Sequence, residues 1–345
     1  MRPSGKLVFQ AISPFLALAF APIVVAQQIE TFDADPTQTQ CSNTSPTSIN
    51  DRGDVTGSCF TAQFHGFIRS SDGHTIIFDA PNSNGGDTRP TSINDEGDVV
   101  GEFLYAGNSH GFLRDRGGNF DVFDAPDSSS DSISVRGIND AGEITGSFFD
   151  PVVGRGRSFV RDEHGRFIVF DAPAPRSNLL YTESHCINRA GDIAGTFAPR
   201  DKKLNVSGFL RDHEGNITVF SAPNAAERGL EVQRINARGE IVGAFTDATS
   251  GTRRGYIRDR DGSFTIFDSP TGNLADAASI NDRGDVVGSF LTLVQAGFLR
   301  NPKGEFLSFS PAGTETLVVG INNRQEIVGF FLDASNTDHG FIARF

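Results

Sequence analysis

The chain has 345 residues, with 43 acidic and 30 basic side chains and a formal net charge of −13 at pH 7. This balance argues against nucleic acid or an anionic membrane surface as a partner, because both require a cationic face. Tryptophan is absent and tyrosine occurs three times. This scarcity weakens a lectin function, because sugar faces usually stack on those rings.

The first 26 residues have the organisation of a secretory signal peptide. Arg2 and Lys6 precede a largely apolar stretch at 7–25, and small residues lead up to Ala26, after which we expect cleavage. A membrane anchor is disfavoured because polar residues and prolines interrupt the stretch. Nothing later is long and apolar enough to cross a bilayer, so we expect no membrane span. We therefore predict a secreted or periplasmic protein.

An Ile-Asn pair recurs along the rest of the chain and marks a structural repeat. The spacings between pairs are 44, 45, 49, 48, 45 and 41 residues, a period typical of repeat architectures. The seven pairs are at 49–50, 93–94, 138–139, 187–188, 235–236, 280–281 and 321–322.

Each repeat reads as four short β-strands, here called a to d. In the fifth repeat we expect strand a to end at 232–236 and strands b, c and d at 240–245, 255–258 and 264–267. These β-branched and aromatic runs are bounded by glycine-bearing turns, which is the pattern of hairpins. No helical periodicity follows the signal peptide, so the predicted fold class is all-β.

Large aromatic residues recur on strands b, c and d and are the predicted core. On strand d they are Phe32, Phe78, Phe123, Phe170, Phe220, Phe267 and Phe309; on strand c they are Phe67, Phe112, Phe159, Phe209, Tyr256, Phe298 and Phe341. On strand b they are Phe103, Phe148, Phe197, Phe245, Phe290 and Phe331 or Phe330, with Cys59-Phe60 in the first repeat.

The termini indicate how the repeats close. The seventh repeat ends at Phe345 without a strand d, whereas residues 29–34 copy strand d of the other repeats. An N-terminal strand that completes the last repeat removes both free edges of a ring. We predict one domain at 27–345, a seven-bladed β-propeller with four antiparallel strands per blade, whose last blade is closed by the N-terminal strand.

The stretches Ile93 to Gly101 and Ile280 to Gly288, with His110 to Arg114, resemble the HAF repeat of probable extracellular bacterial proteins. The resemblance covers nearly the whole mature chain. The middle residue of the name-giving triplet is Gly here, and the histidine is kept in three repeats. The resemblance implies export and a repeat architecture, and it brings no catalytic residues or cofactor.

We place a candidate site at the mouth of the central channel, on the rim formed by the b–c and d–a connections. These connections are long and differ between repeats, whereas the a–b and c–d turns are short and uniform, and binding residues concentrate on variable loops of a rigid scaffold. Three residues before the recurring Asn, successive repeats carry Arg136, His185 and Gln233, and Glu183 and Glu231 lie nearby. This set could bind an anionic or polyhydroxylated ligand or act as acid and base; a solvated channel lining is the alternative.

Other recurring polar residues are interpreted as structural. The seven Asn residues are expected to close turns through side-chain to backbone hydrogen bonds. His65, His110 and His339 occupy the same place in their repeats, so we prefer a repeated structural role to a metal site, and we expect no metal and no cofactor. Cys41 and Cys59 flank the first hairpin and could form a disulfide.

The sequence thus favours an exported binding or interaction module without catalytic activity of its own. The partner would be a small molecule, a glycan or a protein on the b–c/d–a face. A hydrolase or lyase with its site at the channel mouth, and a structural surface or matrix protein, remain as alternatives.

Overall fold

The computed structural model describes residues 28–37, 41–83, 87–126, 132–173, 179–200, 205–271, 275–291, 293–311 and 314–345. The predicted signal peptide lies outside these residues. Within the described ranges all 29 regular elements are β-strands, which confirms the all-β prediction. This part of the chain accordingly holds no helix capable of crossing a membrane.

The repeats predicted from the Ile-Asn pairs are four-stranded units. Strands a are β2 (Ser42–Ile49), β6 (Thr88–Ile93), β10 (Ile133–Ile138), β14 (Leu179–Ile187), the pair β18 (Ala225–Leu230) and β19 (Arg234–Ile235), β23 (Ala275–Ile280) and β27 (Thr316–Ile321). Strands b are β3 (Val55–Phe60), β7 (Val99–Tyr105), β11 (Ile144–Asp150), β15 (Ile193–Pro199), β20 (Ile241–Asp247), β24 (Val286–Leu291) and β28 (Glu326–Leu332).

The third and fourth strands complete each unit. Strands c are β4 (Phe64–Arg69), β8 (Asn108–Arg114), β12 (Arg155–Arg161), β16 (Ser207–Arg211), β21 (Arg253–Arg258), β25 (Gln295–Arg300) and β29 (Asp338–Arg344). Strands d of the first six units are β5 (Thr75–Phe78), β9 (Phe120–Phe123), β13 (Phe167–Phe170), β17 (Ile217–Phe220), β22 (Phe264–Phe267) and β26 (Phe306–Phe309), and β1 (Gln28–Phe32) precedes the first unit.

The strands of each unit pair antiparallel in the order a-b-c-d. Units 3 and 4 are also joined by one parallel bridge, between Gly156 and Tyr181. Unit 5 departs from the prediction because its strand a is split, and only Arg234–Ile235 of the expected segment is a regular strand. The intervening backbone still bonds to strand b, since the amides of Glu231 and Gln233 donate to carbonyls of β20 at 2.8 and 2.9 Å.

The N-terminal strand β1 pairs antiparallel with β29, so the last sheet has the order β1-β29-β28-β27. Phe32 lies opposite Gly340 in this register. The guanidinium of Arg69, from the first unit, lies 4.9 Å from the centre of the Phe32 ring. Strand a of every unit contacts strand a of the next unit, and β27 contacts β2. The two ends of the described chain are therefore neighbours.

The predicted aromatic residues form the core between units. The strand c rings are fully buried, from Phe67 to Phe341. The glycine at the centre of strand b makes room for them: a Cβ on Gly146 would overlap the Ser134 carbonyl and the Phe159 ring. At the outer end of strand c an arginine stacks on the strand d ring of the preceding unit, as Arg161 does on Phe123 at 4.7 Å. Such cation–π contacts link neighbouring units.

Candidate functional site

One end of the strands a carries a closed circle of hydrogen bonds made by the recurring asparagines. The Nδ2 of each Asn donates to the main-chain carbonyl of the Asn in the next unit at 2.9–3.3 Å, and Asn322 donates to Asn50. Each Oδ1 also accepts from a main-chain amide four residues later, as in Asn139 and Glu143. This confirms the predicted turn-closing role, and it adds a bond between units that the sequence did not reveal.

The residues that follow these asparagines surround a small axial cavity of about 190 Å³. The carboxylates of Asp95 and Asp140 each accept a main-chain amide of the preceding unit, and both also accept from Arg189. Burial and then the neighbouring carboxylates raise the pKa of Asp95. Arg189 therefore offsets part of the repulsion among the carboxylates that line this cavity, and this end of the channel is a bonded structural element.

The predicted site lies away from this circle of asparagines, and a β-bulge in strand a sets the direction of two of its side chains. The register of strand a shifts between Val135 and Gly137 and between Ser184 and Cys186, so that Arg136 and His185 are the extra, bulged residues. A bulge re-aims a side chain out of the regular alternation of a strand. The same shift recurs in units 1, 2, 6 and 7, at the position three residues before the recurring Asn.

Two adjoining cavities lie at the predicted site, and Tyr181 lines both. The first, of about 460 Å³, lies between units 2, 3 and 4 and is lined by Glu102, Glu183, Phe149 and several serines. The second, of about 400 Å³, is lined by His185, Glu231 and Gln233. Both volumes fall in the usual range for small-molecule sites.

The charge of Arg136 acts on two carboxylates of the first cavity, Glu102 and Glu183. Burial raises the pKa of Glu183, and the positive charge of Arg136 opposes that shift. Burial likewise raises the pKa of Glu102, against Arg136 and against hydrogen bonds donated by Ser109 and Ser134. Among the described residues, the side chains of Arg136 and Glu183 have neither a hydrogen bond nor an ion pair within 4.0 Å. Both groups are available to a ligand.

His185 is neutral at physiological pH. Burial, and then the charge of Arg136, lower its pKa to about 4, although Glu231 acts in the opposite direction. Its Nε2 lies 2.9 Å from Oγ1 of Thr196. The imidazole is therefore a hydrogen-bonding group and not a cation.

Glu231 and Gln233 lie on the far side of the second cavity and are exposed. Gln233 donates to Glu231 at 3.4 Å, and Glu231 forms an ion pair with Arg253, which also pairs with Asp276. Of the five predicted residues, Glu183 thus lines the first cavity, and His185, Glu231 and Gln233 line the second. Arg136 lines neither cavity and acts on them through its charge. The charge of Arg136 acts on Glu183 and on the neutral imidazole of His185, whereas Glu231 is largely engaged by Arg253.

Three important residues were not predicted from the sequence: Glu102, Tyr181 and Phe149. Glu102 follows the central glycine of strand b, where the other units have Ser, Thr, Ala or Phe, so its charge was a signal that could have been read. Phe149 is 51% exposed at the lip of the first cavity. It lies on strand b, one residue after the core ring of that strand, where units 1 and 2 have Phe60 and Leu104. A large apolar residue at a position that other units also fill in this way gave no signal of a site.

The three repeated histidines have the structural role that was predicted. Nδ1 of His65 lies 2.8 Å from Asp79, and the same pair recurs as His110 with Asp124 and as His339 with Asp33 of the N-terminal segment. Arg157 with Asp171 and Arg254 with Asp268 replace it in units 3 and 5. Within the described ranges no group of three or more metal-ligating side chains is assembled.

Cys41 and Cys59 form a disulfide with a Cα–Cα distance of 5.6 Å. Cys186 is a free, buried thiol, and burial raises its pKa to about 12. A thiol this far from ionisation is not a nucleophile.

No family model matches the chain, and no curated protein matches it. Among solved structures it is similar to virginiamycin B lyase from Staphylococcus aureus, with 14% identity, a TM-score of 0.59, and coverage of 91% of this chain and 99% of that chain. It is also similar to the β-propeller domain of the Trilobed protease from Pyrococcus furiosus, with 11% identity, a TM-score of 0.63, and coverage of 87% and 95%. At such identities the likeness shows the fold alone. The chain is a β-propeller.

Proposed function

We propose that this protein is an exported seven-bladed propeller whose channel mouth binds a small molecule. Seven units, the β1–β29 pairing and the circular Asn bonds support a ring completed by the N-terminal strand. The signal-like residues 1–26 and the resemblance to HAF repeats support export. Export and membership of that family are part of the proposal.

The observation that carries the binding function is that Arg136 and Glu183, which act on each other through their charges but form no ion pair, stand beside a cavity with an apolar lip. A guanidinium and a carboxylate without protein partners suit a ligand that has both an acidic and a basic group, since each charge would regain a hydrogen-bonded partner on binding. The exposed Phe149 and Leu180 would cover an apolar part of the ligand. Short peptides with free termini combine these features.

Catalysis is the weaker alternative, although several structurally similar proteins are lyases or peptidases by name. A general base works best when its pKa lies near the operating pH. His185, with a pKa of about 4, would be a weak base at neutral pH. Of the candidate groups, Arg136 and Glu183 are suited to recognition.

The test is a thermal-shift screen of the purified protein with dipeptides, neutral sugars and divalent metal salts, followed by calorimetric titration of any positive class. A bound ligand raises the melting temperature by mass action. We expect dipeptides to give the shift, and Arg136→Ala and Glu183→Gln to weaken binding about tenfold each.

Arg166→Ala is the matched control, because Arg166 is 76% exposed in a c–d turn of unit 3 and pairs with Asp162. This change should leave binding unaltered. If the dipeptides give no shift, or if all three variants bind equally, the proposed site is wrong.

A further inference from the structure

A large apolar residue opens strand d in six of the seven units and fills the space between neighbours. It is Phe120, Phe167, Phe264 or Phe306 in four units and isoleucine in two. The Phe120 ring centre lies 6.0 Å from Phe78 of the preceding unit and 5.9 Å from Phe112 of its own unit. Phe306 has the equivalent neighbours, Phe267 of the preceding unit at 6.0 Å and Phe298 of its own unit at 5.7 Å.

The first unit has Thr75 at this position. The corresponding neighbours, Phe32 and Phe67, are in place with their ring centres 6.2 Å apart, but the third ring is missing. Thr75, Phe32 and Arg69 line a groove of about 580 Å³. Phe32 is accordingly only partly buried, whereas the other six strand d phenylalanines are at most 9% exposed. Thr75 therefore leaves the space beside Phe32 unfilled, within the groove at the seam between the two ends of the chain.

The charged groups of the groove are paired with one another. Glu30 forms ion pairs with Arg69 and Arg344, and His339 lies between Asp33 and Asp333. The three carboxylates are therefore balanced by at most three positive charges, those of Arg69, Arg344 and protonated His339. Each of these cations already has a carboxylate partner, so none is left to bind an anionic ligand. A neutral ring suits this groove better than an aromatic carboxylate does.

We propose that this groove is a second binding site, and that it takes a small neutral aromatic molecule whose ring occupies the place of the missing phenylalanine. The other units show what fits there. In unit 2 the Phe120 ring packs at an angle against Phe78 and Phe112, and the guanidinium of Arg114 lies over the Phe78 ring. A ring buries enough apolar surface to hold a small ligand at accessible concentrations. This site is separate from the channel mouth.

Indole is the probe, since the chain has no tryptophan and indole fluorescence is free of protein background. We expect saturable binding of one indole per chain, and binding of benzoate at least about tenfold weaker. Thr75→Phe should restore the repeat, fill the groove and weaken indole binding at least about tenfold, while it raises the melting temperature.

Ile76→Phe is the control, because it adds a ring to the neighbouring residue, which is 44% exposed on the other side of the strand. It should bind indole like the parent protein. Phe306→Thr should create an equivalent groove beside Phe267 and a second indole site. The proposal is overturned if the parent protein shows no saturable binding, or if Thr75→Phe and Ile76→Phe bind indole equally.

Discussion

The circle of asparagine hydrogen bonds should be a main source of stability, and Asn139 is the residue on which to test this. Its side chain is 5% exposed. Its Nδ2 donates to Glu143 at 2.7 Å and to the carbonyl of Asn188 at 3.3 Å, and its Oδ1 accepts two main-chain amides. We consider two substitutions, Asn139→Ala and Asn139→Asp.

Asn139→Ala removes all four bonds. A buried polar group left without a partner costs about 1–3 kcal/mol. The carbonyl of Asn188 is buried, whereas the amides in the turn are nearer to water, so we expect a loss of about 3 kcal/mol in the free energy of unfolding.

Asn139→Asp keeps the accepting oxygen but replaces the donating Nδ2 with a second oxygen, which would repel the carboxylate of Glu143 and the carbonyl oxygen of Asn188. Its carboxylate would face that of Glu143, and two like charges 4 Å apart near a protein surface repel by about 4 kcal/mol. The new carboxyl group would therefore have a raised pKa in the folded state. A raised carboxyl pKa means that stability is lost as pH rises. Asn139→Asp should be close to the parent protein near pH 4.5 and clearly less stable at pH 8.

Urea unfolding at a series of pH values measures both effects. Asn119→Asp is the matched control: Asn119 donates to Asp115 at 2.8 Å in the same manner, but it is exposed. Solvent should screen that repulsion, so the control should show a small loss with little dependence on pH. If Asn139→Asp and Asn119→Asp behave alike from pH 4.5 to 8, the circle does not stabilise the ring.

Three further changes test other contacts. Arg189→Ala should destabilise the protein by less than about 1 kcal/mol, because the side chain is 62% exposed and screened, and added salt should reverse the loss by weakening repulsion in the ring of carboxylates. Burial lowers the pKa of His339, but the hydrogen bonds and charges of Asp33 and Asp333 together outweigh burial and raise it. The stabilising contribution of a raised pKa is complete below 6.5 and is lost as pH rises through the folded value, so the stability difference between the parent protein and His339→Gln, measured by urea unfolding, should shrink as pH rises above 6.5. Reduction of the Cys41–Cys59 disulfide, whose partners are 18 residues apart, should lower the free energy of unfolding by about 3 kcal/mol, measured by urea unfolding with and without reductant.

The sequence by itself determined the repeat, its strand pattern and its aromatic core. These are local and periodic features: a hairpin needs a glycine in its turn, and a strand buried on both faces needs a large side chain such as Phe159 or Phe209. Repetition reinforces each local signal seven times. For the same reason the turn-closing role of the asparagines was readable, since a residue that recurs in every unit serves the structure common to all units.

Only the tertiary structure decided which residues meet across units. Asn322 donates to Asn50 over 272 residues of sequence, and no local pattern encodes that bond. The bulges that re-aim Arg136 and His185 depend on how strand a registers against strand b. Glu102 and Thr75 gain their meaning from neighbours in other units: one faces Arg136, and the other leaves a space beside Phe32. Comparison of the repeats in the sequence shows which residues recur. A site forms where one unit has a different residue and that residue lies beside residues of a neighbouring unit, which only the tertiary structure shows.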